Sequence, residues 1–224
     1  MTALITNVAI QKTTFKYEIP YMLLITAVLL VMGMTGNEIT FIEGVILWIL
    51  FIAYLLYLYI LAKKGNDSGD EQSVKLYPVW KCLFFIVLGG VCVVIGSQLV
   101  VNGATTIARA CGMSERFIGL TIVAFGTSLP ELVTSVSAAR KGNAGIAIGN
   151  IVGSNIFNIL FVIGTVALIC PVPFESRFVI DTVVAILCGV LLWGGTIRHK
   201  ELRKPCGVVM LLCYAAYFVY LAAM

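Results

Sequence analysis

Charge is scarce in this sequence. Only 12% of its 224 residues are Asp, Glu, Lys or Arg, about half the share of a soluble globular chain. With 60% hydrophobic residues and a mean hydropathy of +1.03, the chain has too little polar surface to cover a soluble core, which excludes water as its main solvent. Histidine is scarcer still: His199 stands between Arg198 and Lys200, in a loop where solvation is its expected role. The seven cysteines form no CxxC pair and lie mostly in apolar runs, so they are expected as buried, reduced thiols. There is no Walker-type loop and no Ser/His/Asp set, and the loops are too short for a catalytic domain, so no enzymatic activity is expected. The basic face with interleaved aromatics that nucleic acid requires is missing, despite a net charge of +4. Met1 to Ile19 lacks the compact apolar block of a cleavable signal peptide.

Long apolar runs are what the sequence has instead. They fall at about 20–36, 41–62, 80–108, 116–139, 145–170, 178–196 and 205–223, and most reach the length a helix needs to cross the hydrocarbon layer. The expected fold is an all-α, polytopic transmembrane helix bundle of about seven spans. A turn-rich stretch at 63–79 divides a two-span piece, 1–62, from a five-span piece, 80–224, within one membrane domain. Alternate loops carry very different numbers of cations. One set holds Lys12, Lys16, Lys63, Lys64, Lys75, Lys81, Arg140, Lys141, Arg198, Lys200, Arg203 and Lys204; the other holds Arg109, Arg116 and Arg177. The positive-inside rule then places the N-terminus in the cytoplasm and the C-terminus outside. The same bias disfavours insertion in both orientations.

Two of the spans contain polar residues that lipid does not tolerate without reason. The fourth holds Glu131 near its middle, at a cost of at least a few kcal/mol unless a partner or a wet cavity receives it. Thr127 and Ser128 precede Glu131 by four and three residues and share its helix face. Pro130 lacks an N–H and breaks the helix at Gly126, which frees carbonyls there, with Ala124 on the same side one turn earlier. Broken helices with free carbonyls at mid-membrane depth are how transporters hold ions. In the fifth span Asn150, Ser154 and Asn158 recur every four residues as a polar stripe, with Asn155 at its edge. Interhelical hydrogen bonding is the plainer role for Asn150 and Asn155. Together the two spans offer oxygen alone, which suits hard cations such as Na⁺ and Ca²⁺.

Gly126-Thr-Ser-Leu-Pro-Glu131, followed by Gly149-Asn-Ile-Val-Gly-Ser-Asn-Ile-Phe-Asn158, resembles the alpha-repeat of the cation/calcium exchanger superfamily, to which the sodium/calcium exchangers belong. The repeat occupies about 96–165. The resemblance implies ten spans in two inverted halves, with one repeat from each half meeting around the ions. It implies Na⁺/Ca²⁺ exchange by alternating access, driven by an ion gradient rather than ATP and without a cofactor. Glu131 would be the acidic ligand shared by both ions; Thr127, Ser128, Ser154 and the Ala124 carbonyl would hold sodium. Asn158 stands where some members carry an acid. No second Gly-Thr-Ser-x-Pro-Glu occurs in residues 1–80. The first two spans resemble the fourth and fifth of the family, so the first repeat is missing. One intramembrane carboxylate and a half-shell of oxygens bind Ca²⁺ poorly. The expected remedy is a second chain carrying the first repeat, with an inverted homodimer less favoured. A non-transporting remnant and H⁺-coupled Ca²⁺ exchange remain alternatives. The short linker suggests a prokaryotic plasma (inner) membrane.

Overall fold

The computed structural model describes residues 2–5, 7–65, 78–113, 115–143, 145–197 and 200–223. The body of the linker, 66–77, lies outside the described residues, as do Arg198 and His199. The chain runs α1 (Thr2–Ile5), β1 (Val8–Ala9), α2 (Ile19–Gly36), β2 (Glu38–Ile39), α3 (Phe41–Gly65), α4 (Val79–Ala110), α5 (Glu115–Ile118), α6 (Ala124–Thr127) and α7 (Leu129–Arg140). It continues through α8 (Gly145–Phe157), α9 (Gly164–Ile169), β3 (Val172–Pro173), α10 (Ser176–Ile197), β4 (Glu201–Leu202) and α11 (Lys204–Ala223). π-helical turns at Thr14–Glu18, Gly119–Val123 and Asn158–Ile163 join neighbouring helices into longer rods.

Helix is the only way these apolar runs can satisfy their own backbone in lipid without closing a barrel. Their ends follow local chemistry. Asn37 ends α2 in the left-handed conformation, its N–H closing on the Gly33 carbonyl at 3.1 Å. Gly112 and Gly142, at φ 77° and 81°, turn the chain after α4 and α7, where a side chain would be strained.

All seven expected apolar segments are helical. Five helices are long and apolar enough to cross a membrane: Thr14–Gly36, Phe41–Lys64, Val79–Ala110, Gly145–Ile169 and Phe178–Ile197. Thr121–Thr127 and Leu129–Arg140 pass the same test together but are bent by 49°, as a broken span or a re-entrant loop is, and the apolar helix Lys204–Tyr220 is shorter. At 32 residues, α4 is about 48 Å long and exceeds the hydrocarbon thickness unless tilted. The core joins Ile19, Ile25 and Leu29 of α2, Leu47 and Phe51 of α3, and Val152 and Ile156 of α8.

The cysteines depart from expectation. Cys82, Cys92, Cys111, Cys170 and Cys213 are exposed on the outside of the bundle, and Cys188 and Cys206 are half-buried. In lipid an apolar position need not be an interior one, because the acyl chains themselves solvate the thiol.

An internal repetition runs through the chain without a duplicated ion motif to mark it. Thr2-Ala-Leu-Ile5 corresponds to Val166-Ala-Leu-Ile169, Glu38-Ile39 to Glu201-Leu202, and Gly44-Val45 to Gly207-Val208. The pairings exchange between the copies. β1 pairs antiparallel with β4, and β2 with β3. α9 packs on α3 while α1 packs on α11, and α2 lies against α10. The same close contact holds each copy. A Cβ at Gly44 would stand 3.0 Å from the Ala167 Cβ, and one at Gly207 would stand 2.9 Å from the Ala3 Cβ. This exchange is that of a pseudo-two-fold, inverted repeat.

The two strand pairs also sort the loops. On one face the Ile10 N–H donates to the Lys200 carbonyl at 2.9 Å, and a Cβ at Gly145 would approach the Ala9 carbonyl oxygen at 3.4 Å. On the other, the Phe174 N–H donates to the Asn37 carbonyl at 2.8 Å. The loops bearing Lys12, Arg140, Lys141, Lys200 and Arg203 thus gather at one end of the bundle.

Gly44→Val and Gly207→Val should each lower the thermal midpoint of the detergent-solubilised protein, overpacking costing about 1–3 kcal/mol. Gly90→Val, on α4 with nothing within 4 Å of its Cβ, should leave the midpoint in place. Equal effects at all three positions would refute the paired close contacts.

Candidate functional site

The site is built on the break between α6 and α7. Pro130 has no N–H to return to the Gly126 carbonyl. One residue pair earlier, the Ser128 N–H closes on Phe125 at 3.1 Å rather than on Ala124, so the Ala124 carbonyl also loses its usual helix donor. These carbonyls lie at the negative end of the α5–α6 rod, whereas Glu131 sits in the first turn of α7, where the backbone dipole favours a carboxylate. Gly126 lets α4 cross the break: a Cβ there would overlap the Val101 side chain.

α8 packs along α7, and Asn150 joins them. Its Nδ2 donates to the Glu131 carbonyl at 3.2 Å and to Ser135 Oγ at 3.3 Å. Beyond Phe157 the rod passes into π-helical turns that begin at Asn158, a distortion frequent at functional sites. A cavity of about 610 Å³ lies between these elements, and Thr127, Ser128, Glu131, Ser135, Ser154, Asn155 and Asn158 all line it.

Two of the donors on its wall are spent on the backbone. Ser154 Oγ donates to the Ile151 carbonyl at 3.0 Å, and Asn155 Nδ2 to the same carbonyl at 2.8 Å. The remaining lone pairs of Ser154 Oγ and Asn155 Oδ1 are free to accept. Glu131 Oε2 is buried and has no hydrogen-bond partner among the described residues. A buried carboxylate oxygen without a partner, beside hydroxyl and amide oxygens, is an arrangement that a cation completes. Among the described residues no group of three His, Cys, Asp or Glu gathers as a metal cluster, so the chemistry is that of mixed oxygen ligands and hard ions.

The expected residues divide. Thr127, Ser128, Glu131, Ser154, Asn155 and Asn158 converge on one cavity. Asn150 stands behind it as the bridge between helices, and Pro130 makes the break. Of Ala124 only the backbone is described. Ser135, 2% exposed, was missed, although it follows Glu131 by four residues and so shares its face. Thr2 and Tyr214 also line the cavity, brought there by α1 and α11, and nothing in their local sequence signals it. The expected count of one intramembrane carboxylate left out three others that fall within helices apolar enough to span: Glu18 in Thr14–Gly36, Glu43 in Phe41–Lys64 and Asp181 in Phe178–Ile197. All three stand near helix ends. Asp181 accepts the Tyr217 hydroxyl at 2.6 Å.

Asn150→Ala should destabilise the protein by about 1 kcal/mol, and Asn150→Asp by more, since a carboxylate there faces the Glu131 carbonyl without donors. Thermal midpoints in detergent check this; equal losses in the two variants would refute the donor role.

Comparison with known proteins agrees with this geometry. Residues 81–223 match the family model described as sodium/calcium exchanger protein. The chain is 39% identical over 142 residues to the sodium/calcium exchanger MaX1 of Methanosarcina acetivorans, covering 63% of this chain and 41% of that one. It is 31% identical over 231 residues to the inner membrane protein YrbG of Escherichia coli K12, covering 94% of this chain and 67% of that one. A solved structure of the sodium-calcium exchanger NCX_Mj superposes with a TM-score of 0.78 at 31% identity, over 98% of this chain and 70% of that one. The broken helix, its oxygen-lined cavity and these likenesses agree: the chain belongs to the sodium/calcium exchanger family of membrane antiporters.

Proposed function

We propose that this chain forms one side of the ion site of a Na⁺/Ca²⁺ exchanger that works by alternating access and is driven by an ion gradient. The observation that carries the proposal is the buried Oε2 of Glu131, without a hydrogen-bond partner among the described residues, at the wall of a cavity whose other polar side chains all carry oxygen. Glu131 is the ligand shared by both ions. One carboxylate cannot serve Ca²⁺ and Na⁺ at once, so each ion displaces the other, which is the basis of exchange. Thr127, Ser128, Ser154 and the Ala124 carbonyl hold sodium, and Asn158 supplies a neutral oxygen where an acid would raise the site's charge.

Ca²⁺ takes six to eight oxygens, usually with more than one carboxylate. Glu131 is the sole carboxylate among the residues lining this cavity. The remaining ligands are supplied by a complementary repeat on a second chain; an inverted homodimer is the weaker arrangement, because the cation-rich loops gather at one end. In this reading residues 80–224 are the exchanger half, with its repeat at about 96–165, and 1–62 the two-span piece before it. The cation-rich end faces the cytoplasm across a plasma (inner) membrane.

Proton coupling is the second reading, favoured by the same Oε2, which a proton would also satisfy. Driving Ca²⁺ uptake into vesicles with a sodium gradient and then with a pH gradient separates the two.

Millimolar Ca²⁺ should raise the thermal midpoint of the wild-type chain, and Glu131→Gln should abolish the rise. Sodium-driven Ca²⁺ uptake should be absent from vesicles holding this chain alone. Uptake lost in Glu131→Gln would instead mean that the chain completes its own site, and a Ca²⁺ response unchanged in that variant would overturn the assignment of Glu131.

A further inference from the structure

A second cavity, of about 310 Å³, lies between α2 and α3, lined chiefly by Tyr17, Glu18, Tyr21, Tyr54 and Tyr57. It stands at the end of the α2–α3 hairpin away from the β2–β3 pair. An interfacial belt of tyrosines is ordinary at that depth. A carboxylate beneath it is not: Glu18 is 9% exposed and lines the cavity, and no hydrogen bond or ion pair reaches its carboxylate among the described residues. The Tyr57 hydroxyl is buried and has no hydrogen-bond partner among the described residues.

The rings form a partial cage. Tyr21 and Tyr54 stack at 5.5 Å and 9°, and Tyr57 follows Tyr54 at 6.2 Å. Tyr17 closes on Tyr57 at 6.2 Å and 57°. Tyr21 is locked in place, its hydroxyl donating to the Leu50 carbonyl at 2.9 Å. Several ring faces with one buried anion attract a cation, by the ring quadrupole and by charge together.

We propose that this cavity binds the ammonium headgroup of a zwitterionic phospholipid, and specifically a primary ammonium. The Tyr57 oxygen and the Glu18 carboxylate both need a donor, and a primary ammonium brings N–H groups that a quaternary one lacks. Lys16, its Nζ 5.2 Å from the centre of the Tyr17 ring, stands at the rim, where the neighbouring phosphate of the same headgroup would meet it. The acyl chains continue over the exposed Ile49 and Ile52 of α3. This inference is independent of the ion site around Glu131.

The test is native mass spectrometry of the full chain in detergent, titrated with phosphatidylethanolamine, phosphatidylcholine and phosphatidylglycerol of matched acyl chains. The wild type should retain phosphatidylethanolamine at least about fivefold over the other two. Glu18→Gln should bring that ratio to about one and Tyr57→Phe should at least halve it, while Glu131→Gln leaves it unchanged. Where Glu18→Gln fails to fold, Tyr57→Phe decides. Equal retention of the three lipids by the wild type, or a preference that survives Glu18→Gln or Tyr57→Phe, overturns the proposal. So does protection of the lipid-free protein by soluble hexylammonium equal to that given by phosphatidylethanolamine, which would make the occupant a free amine.

Discussion

A polar group inside hydrocarbon must find its partner within the protein, because no water stands by to replace one. Nearly every backbone group in this chain meets that demand by forming helix. One exception lies at the site, where Pro130 withholds its N–H and Ser128 turns its own toward Phe125. Around that break the side chains follow the same rule: Asn150 spends its amide on the Glu131 carbonyl, and Ser154 and Asn155 spend theirs on Ile151. What is left unsatisfied there among the described residues is one buried carboxylate oxygen, Glu131 Oε2. Under the proposed function a transported cation settles that deficit, and because it would come and go the deficit has to persist in the protein.

The rest of the molecule keeps the break in position. α7 and α8 are joined by Asn150, and α8 runs on into the π-helical turns and α9, which lies against α3. Gly44 and Gly164 make that last crossing close: a Cβ at Gly164 would stand 3.2 Å from the Leu47 Cβ. The inverted copy repeats the contact at Gly207 and Ala3. One glycine–alanine packing solution thus serves both ends of the bundle, and α2 and α10 meet between them.

Much of this was legible from residue order. Composition settled the membrane environment, the apolar runs marked the helices, and the Thr127–Ser128–Glu131 and Ser154–Asn158 spacings identified six side chains that share a cavity. Three things were not legible, each for a physical reason. Lipid makes apolarity uninformative about burial, so the cysteines were misplaced. Glu18, Glu43 and Asp181 sit within a few residues of helix ends, and residue order does not tell how deep such a position lies. The inverted repeat survives as backbone pairing and as glycine positions rather than as an ion motif, because packing constrains small residues more tightly than it constrains the large apolar ones around them.

The strand pair that closes one end of the bundle joins Val8 to Leu202 and Ala9 to Glu201, positions almost the whole chain apart. A ribosome adding about 5–20 residues each second needs roughly 10–40 seconds between making the first strand and making its partner. During that interval Val8 and Ile10 have no partner strand to join, although they end up almost fully buried. The assembly of this end is therefore paced by translation. A pause placed before β4 would lengthen the exposure of the segment ahead of α2.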